Sequence, residues 1–274
     1  MTGRLIVCAT PIGNLGDISD NLRDALADAD LVFAEDTRRT AKLLRHLDIS
    51  VESVSLFAGN ERGRIDQVVR AVESGKTVVL VSDAGMPTVS DPGASVIRAV
   101  RNSGGQVNVV PGPSAVTTAI ALSGFGGDRF VFEGFLPRKG QERARRLREI
   151  GEETRATVLF ASPKRLAADL ADLVVACGGS REVAVGRELT KLHEETWVGS
   201  LAGAAERFSE PVKGEVTLVL APVEPEPPSP ELAVDRAREL VADGVSVSEA
   251  ARRAAEETGV SRRVVYESLI SDQA

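Results

Sequence analysis

Residues Thr77 to Gly93, TVVLVSDAGMPTVSDPG, join a short β-branched run to a loop of Gly, Pro, Ser and Asp. A run this apolar and this short suits a strand buried on both faces of a parallel sheet. Two further stretches repeat the arrangement: Leu5 to Ala9 opens into Thr10-Pro-Ile-Gly-Asn-Leu-Gly16, and Val107 to Val110 opens into Pro111-Gly-Pro-Ser114. If the three strands are parallel, their loops emerge together on the carboxyl edge of one sheet, where open α/β folds bind small molecules.

The same alternation continues along the chain. Strands are predicted at Leu5–Ala9, Leu31–Ala34, Val51–Phe57, Thr77–Val81 and Val107–Val110, with helices at Asp20–Ala29, Thr37–His46, Gly63–Ser74 and Ala94–Asn102 between them. These make an α/β domain over residues 1–112. The pattern restarts with helices at Ala115–Leu122, Gln141–Gly151 and Lys164–Ala176 and strands at Phe130–Glu133, Thr157–Phe160, Glu182–Arg187, Glu195–Val198 and Glu215–Leu220. That is a second α/β domain over 113–222, and its closely spaced last strands predict antiparallel pairs in a mixed sheet. Residues 223–230 are rich in proline, which fixes φ and removes amide donors, so they read as a stiff linker. The tail, 231–274, carries an apolar helical face from Leu232 to Ala242, a capping-box pattern at Ser246-Val-Ser-Glu249, and Gly259 placed to end that helix. With a third helix from Ser261, it predicts a small helix-turn-helix unit.

A chain of 274 residues with formal charge -7 is not one that coats nucleic acid non-specifically, so any RNA contact must be regional. The isolated thiols Cys8 and Cys177 suit a reducing cytoplasm, and His46 and His193 have no ligand neighbours at zinc spacing, so no metal is expected. The first apolar run breaks at Pro11, which predicts neither a signal peptide nor a membrane span.

The three loops lack a GxxxxGK[ST] or a full GxGxxG pattern, and their prolines remove donors that a phosphate cradle would use. A cationic or polar-neutral ligand suits them better. Asp83 and Asp91 bracket the long loop, while Gly85 and Gly93 allow close backbone approach. The same aspartates also suit turn and helix caps. Glu35, Asp36 and Arg38 follow a strand at the same edge, where Thr37 could cap the next helix and the charges form a surface pair. Arg187, Glu188 and Lys191 lie beyond a strand of the second domain, with solvated charge as the simpler reading. One dense basic run, Arg138 to Arg148, could follow a nucleic-acid backbone, or could be one charged helix face.

The segments ATPIGNLGDIS, AEDTRRTAKLL, SDAGMPTVSDPG, VVPGPSAVTTAIALSGF and FEGFLPRKGQER, followed by ASPKRL, GRELTK and KGEVTLVL, occur in that order from Arg4 to Ala221. Together they resemble the ribosomal small-subunit methyltransferase I family of the tetrapyrrole methylase superfamily, and the tail resembles that family's helix-turn-helix extension. The resemblance implies two α/β domains of the tetrapyrrole methylase type with S-adenosylmethionine in the cleft between them, in a cytoplasmic homodimer. It implies 2′-O-methylation of a cytidine ribose in 16S ribosomal RNA or the small subunit. Carried onto this chain, cofactor contacts fall on Pro11, Asp83, Gly85, Met86, Ser114, Ala115, Phe160 and Leu201. Many members have Tyr-Glu-Ser-Pro where this chain has Phe160-Ala-Ser-Pro163, so the ring is kept and the Glu is not. Glu35, Asp36 and Arg38 are placed near the transfer, and Arg138, Lys139, Arg143, Arg145 and Arg146 on the RNA. Two other readings stand beside this one: a methylase of a tetrapyrrole or another small molecule, and a non-enzymatic ribosome-associated RNA-binding protein.

Overall fold

A computed structural model describes residues 3–223 and 229–271. It divides into two compact units, Met1–Val223 and Glu224–Ala274. Strands β1 (Arg4–Cys8), β2 (Leu31–Ala34), β3 (Ser53–Ser55), β4 (Thr77–Val81) and β5 (Gln106–Val110) form one parallel sheet in the order β3-β2-β4-β1-β5. Helices α1 (Asp20–Ala27) and α2 (Thr37–His46) supply one covering core, in which Leu22, Leu26, Leu43 and Leu44 meet Ile6, Val32 and Val79. Helices α3 (Glu61–Glu73) and α4 (Ala94–Asn102) cover the other face, where Val68, Val72, Val96 and Val100 meet Leu5, Phe33 and Leu80. Burial on both faces is why β1, β2 and β4 are almost wholly apolar rather than alternating.

The order of the sheet creates a crevice. Neighbouring strands β1 and β4 send their chains to opposite sides, β1 through α1 towards β2 and β4 through α4 towards β5. Their exit loops, residues 9–19 and 82–93, therefore diverge at a topological switch point, the position where such sheets hold ligands.

The second sheet joins β6 (Phe130–Phe135), β7 (Ala156–Ala161), β8 (Glu182–Arg187), β9 (Glu195–Ser200) and β10 (Val216–Leu220) in the order β6-β7-β10-β8-β9. Only β6 and β7 are parallel, so the sheet is mixed as expected. Helices α6 (Gln141–Glu152), α7 (Leu166–Cys177) and α8 (Leu201–Arg207) close one face over Leu159, Val183, Val185 and Leu218. Helix α5 (Ala115–Ser123) lies on the other face, and Ile12 from the first lobe enters the same core beside Val116, Ala184 and Leu189. This shared core is the reason that the sheets on either side of residue 112 belong to one compact unit rather than two.

The remaining unit has its own core, built from Ala233, Ala237, Ala251, Ala254, Val265 and Leu269 of α9 (Pro230–Ala242), α10 (Val247–Thr258) and α11 (Arg262–Ser271). Ser229 caps α9 by accepting from Leu232 N–H, and Pro230 takes the first turn, where a missing amide is harmless. Gly259 ends α10 in the left-handed conformation at φ 75°. The capping box expected at Ser246 and Glu249 does not form: the Ser246 side chain caps nothing, and the Glu249 carboxylate turns along the helix to pair with Arg252 at 2.7 Å and Arg253 at 2.8 Å. Within the expected linker, residues 224–228 lie outside the described ones.

Candidate active site

The site forms where three loops are fastened to one another. Thr10 N–H donates to the Gly85 carbonyl at 2.9 Å, and Gly85 N–H returns a bond to the Thr10 carbonyl at 3.0 Å. Gly85 sits at φ 77°, which a side chain would strain. From the second lobe, Thr190 Oγ1 accepts from Asn14 N–H at 3.1 Å, and a Cβ on Gly13 would lie 2.3 Å from Lys191 Cγ. Of the five non-glycine residues with positive φ among the described residues, four are Thr88, Ser90, Glu188 and Thr190. Such backbone costs energy and persists only where its surroundings impose it, and here it marks the two loops that face each other.

Two chambers open between these loops, and they differ in charge. The first, about 370 Å³, is walled by Gly85, Met86, Ser114, Ala115, Phe135 and Phe160, with Asp91 and Glu215 as its charged groups and no cation. Phe160 is braced edge-on by Phe132, with centroids 5.0 Å apart, and by Phe135 at 5.5 Å. The second chamber, about 200 Å³, brings Arg39, Lys42 and Lys191 around Asp83 and Glu215, with Thr10, Pro11 and Thr40 beside them. Ile12, Ala84 and Glu215 form the wall common to both.

Burial and the nearby Glu35, Asp83 and Glu215 push the Asp91 carboxyl up to about 6, against a smaller opposing effect of the Ser82 hydroxyl. Asp83 is raised too, chiefly by burial, with Arg39 pulling the other way. Glu35 is raised by burial and accepts Asp83 N–H at 3.3 Å. A first chamber whose buried Asp91 is raised and whose wall holds no cation is a place for a positively charged ligand.

Of the residues expected at the cofactor, Gly85, Met86, Ser114, Ala115 and Phe160 wall the first chamber, while Pro11 and Asp83 wall the second. Leu201 reaches neither. It begins α8 fully buried among Leu173, Val183 and Phe208 on the far face of the second sheet, so its expected contact is corrected to a core role. Glu35, Asp36 and Arg38 also line neither chamber. Asp36 caps α2 through Arg38 N–H at 2.9 Å and pairs with the Arg38 guanidinium at 2.7 Å, which holds its carboxyl well below the usual range. Arg38 itself points to solvent, 88% exposed. Its neighbour Arg39 is the residue that faces the site, 3.4 Å from Asp83 Oδ2 and 3.9 Å from Glu215 Oε1. Lys42 lies one turn further along the same helix face, a spacing the sequence held but only the start of α2 at Thr37 could orient. Lys191, read as solvated charge, instead donates to Glu188 at 2.7 Å and Glu215 at 3.0 Å.

The basic run resolves into pairs. Arg143, expected on RNA, is corrected: only 7% exposed, it donates to Asp169 at 2.8 Å, to Asp172 at 2.6 Å and to the Pro137 carbonyl at 2.9 Å. Arg145 is held between Glu142 and Glu149, and Arg146 binds Glu133 at 2.7 Å beside a bulge in β6. Arg138 and Lys139 are exposed on the turn before α6 and enter none of the ion pairs among the described residues. No group of three or more His, Cys, Asp or Glu that could hold a metal occurs among the described residues. Nor is any described helix long and apolar enough to cross a membrane.

Known proteins resemble this chain in sequence and in fold. Residues 4–205 match the tetrapyrrole (corrin/porphyrin) methylases, and residues 226–272 match the RsmI C-terminal HTH domain. The chain is 45% identical to ribosomal RNA small subunit methyltransferase I of Mycobacterium tuberculosis strain H37Rv, over 99% of this chain and 96% of that protein. The protein of the same name from Thermotoga maritima is 44% identical and is matched over 98% of its length by 80% of this chain. Among solved structures, the methyltransferase CobJ superposes with a TM-score of 0.64 at 19% identity, covering 81% of this chain and 95% of that one. A Thermus thermophilus uroporphyrin-III C-methyltransferase complexed with S-adenyl homocysteine gives 0.60 at 16% identity, covering 80% and 97%. Similarity this extensive to relatives of one name, with both segments matched, places the chain in the ribosomal RNA small subunit methyltransferase I family, within the tetrapyrrole methylases.

Proposed function

We propose that the protein is an S-adenosylmethionine-dependent methyltransferase that modifies the 2′-hydroxyl of a cytidine ribose in 16S ribosomal RNA. The observation that carries this reading is the division of charge: a cation-free chamber holding Asp91 adjoins one that gathers Arg39, Lys42 and Lys191. A sulfonium fits the first and a polyanion the second. The family supports the substrate, since its members are named for small-subunit ribosomal RNA.

The residues present fit the cofactor. Met86, Ala115 and the braced ring of Phe160 offer apolar surface, and Asp91 opposes a positive charge. Gly85 lines this chamber at φ 77°, a conformation in which any side chain would be strained. When bound, the cofactor supplies an already activated methyl group. What the protein adds is alignment of the acceptor, a contribution that alone can lower a barrier by about 7 to 11 kcal/mol.

Purified protein, methyl-labelled S-adenosylmethionine and small-subunit RNA or assembled subunits test the proposal. Nuclease digestion should release labelled 2′-O-methylcytidine. Label in a tetrapyrrole with none in RNA would assign the protein to small-molecule methylation, and no label in any acceptor despite cofactor binding would make it a binding protein. The resemblance also supports a homodimer, for which light scattering should give twice the chain mass.

A further inference from the structure

The second chamber has a built wall. Glu188 Oε1 accepts both from Lys191 Nζ at 2.7 Å and from Glu215 N–H at 2.8 Å, while Glu188 N–H donates to the Glu215 carbonyl at 2.9 Å. Gly214, at φ 94°, permits this close approach, since a Cβ there would lie 2.3 Å from the Glu188 carboxyl. The backbone that bears Glu215 is therefore clamped. Its carboxylate is flanked by a cation from each lobe, Lys191 at 3.0 Å on Oε2 and Arg39 at 3.9 Å on Oε1. The Arg39 contact is too long for a hydrogen bond, so Oε1 keeps accepting capacity. The side chain is 56% exposed and stands in the wall common to both chambers. Lys42, also lining the second chamber, enters none of the ion pairs among the described residues, which leaves its ammonium available to an anion.

Resting on the methyltransferase reading above, we propose that the second chamber holds the acceptor ribose and its phosphate, with Lys42 and Arg39 facing the phosphate and Glu215 accepting the hydrogen of the hydroxyl to be methylated. The hydroxyl oxygen forms its new bond to the methyl carbon. The carbon–sulfur bond breaks with its electron pair left on sulfur, giving S-adenosylhomocysteine, and the hydroxyl proton passes to Glu215. Lys191 is a positioning residue, which holds the Glu215 carboxylate against the shared wall.

The test uses the full chain with saturating S-adenosylhomocysteine and small-subunit RNA as the probe. Lys42→Ala should weaken RNA binding and lower the log–log salt slope by about 0.7 to 0.9, as loss of one phosphate contact requires, with S-adenosylhomocysteine affinity unchanged. Glu215→Gln, a neutral isostere at a half-exposed position, should bind RNA and S-adenosylhomocysteine within about twofold of the parent but lose about 10²-fold in kcat, the size of a missing proton acceptor. An unchanged salt slope in Lys42→Ala, or near-parental kcat in Glu215→Gln, overturns the proposal while leaving the activity in place. Absence of ribose methylation by the parent protein would instead overturn the activity on which it rests.

Discussion

At the residue scale, Asp91 ties the cofactor to pH. Its folded value of about 6 lies above the ordinary 3.8, so the folded chain takes up this proton more readily than the unfolded one. Asp91 therefore lowers stability as pH rises from about 4 to about 6 in the free protein. A bound sulfonium favours the ionised form and acts in the opposite direction. S-adenosylmethionine affinity should fall by up to about tenfold per pH unit below about 6, while that of S-adenosylhomocysteine, which lacks the sulfonium charge, changes much less. Titration calorimetry between pH 5 and pH 7.5 would show the difference, and Asp91→Asn should remove it. Gly85→Arg offers a separate check. Its long side chain would project from a backbone at φ 77° in the wall of the first chamber, so S-adenosylhomocysteine should no longer raise the melting temperature of the folded variant. The loops that wall the first chamber were legible from their Gly, Pro, Ser and Asp content, whereas Met86, Ser114 and Ala115 within that wall were named through the family resemblance. Arg39 was not legible, since Arg38 and Arg39 are chemically alike and only the phase of α2 decides which one faces Asp83.

At the element scale, α6 shows why charge density misleads. Its arginines read as one basic face, yet their partners come from its own helix and from α7 and β6. Asp169 and Asp172 lie 26 and 29 residues beyond Arg143, a separation at which a sequence gives no sign of pairing. Arg143→Ala leaves Asp169 buried and without its closest partner, so urea unfolding should show a loss of about 3 kcal/mol. Arg145→Ala, losing only exposed pairs with Glu142 and Glu149, should leave the urea midpoint nearly unchanged. The strands were the most readable elements, since β1, β2 and β4 are apolar on both faces and run into polar loops within two residues of their ends, at Thr10, Glu35 and Ser82. Strand β3 contracted to Ser53–Ser55 because Asn60 accepts from Phe57 N–H at 2.8 Å and donates to the Ser55 carbonyl at 3.1 Å, turning the chain away early.

For the whole molecule, residues 1–112 and 113–222, read from the sequence as two domains, share a core within one compact unit, and the tail belongs to the other unit. Proline enrichment is a local signal, whereas the insertion of Ile12 beside Val116 and Leu189 is a tertiary event that joins the lobes into one unit. Every residue lining either chamber lies within Met1–Val223, and the tail closes its own core around Ala237, Ala254 and Val265. The Thermotoga maritima relative is matched along 98% of its length by four-fifths of this chain, so the family includes a protein too short to carry the whole of it. A chain ended after Pro222 should therefore fold cooperatively and bind S-adenosylhomocysteine with the affinity of the parent, because Met1–Val223 holds its own hydrophobic cores and both chambers. Calorimetric unfolding with and without S-adenosylhomocysteine reads both properties at once. A truncated chain that folds but has lost its ligand-induced shift would place part of the cofactor site in the tail and refute the boundary. If the tail serves RNA instead, the truncated protein should retain the shift and lose affinity only for the ribosomal substrate.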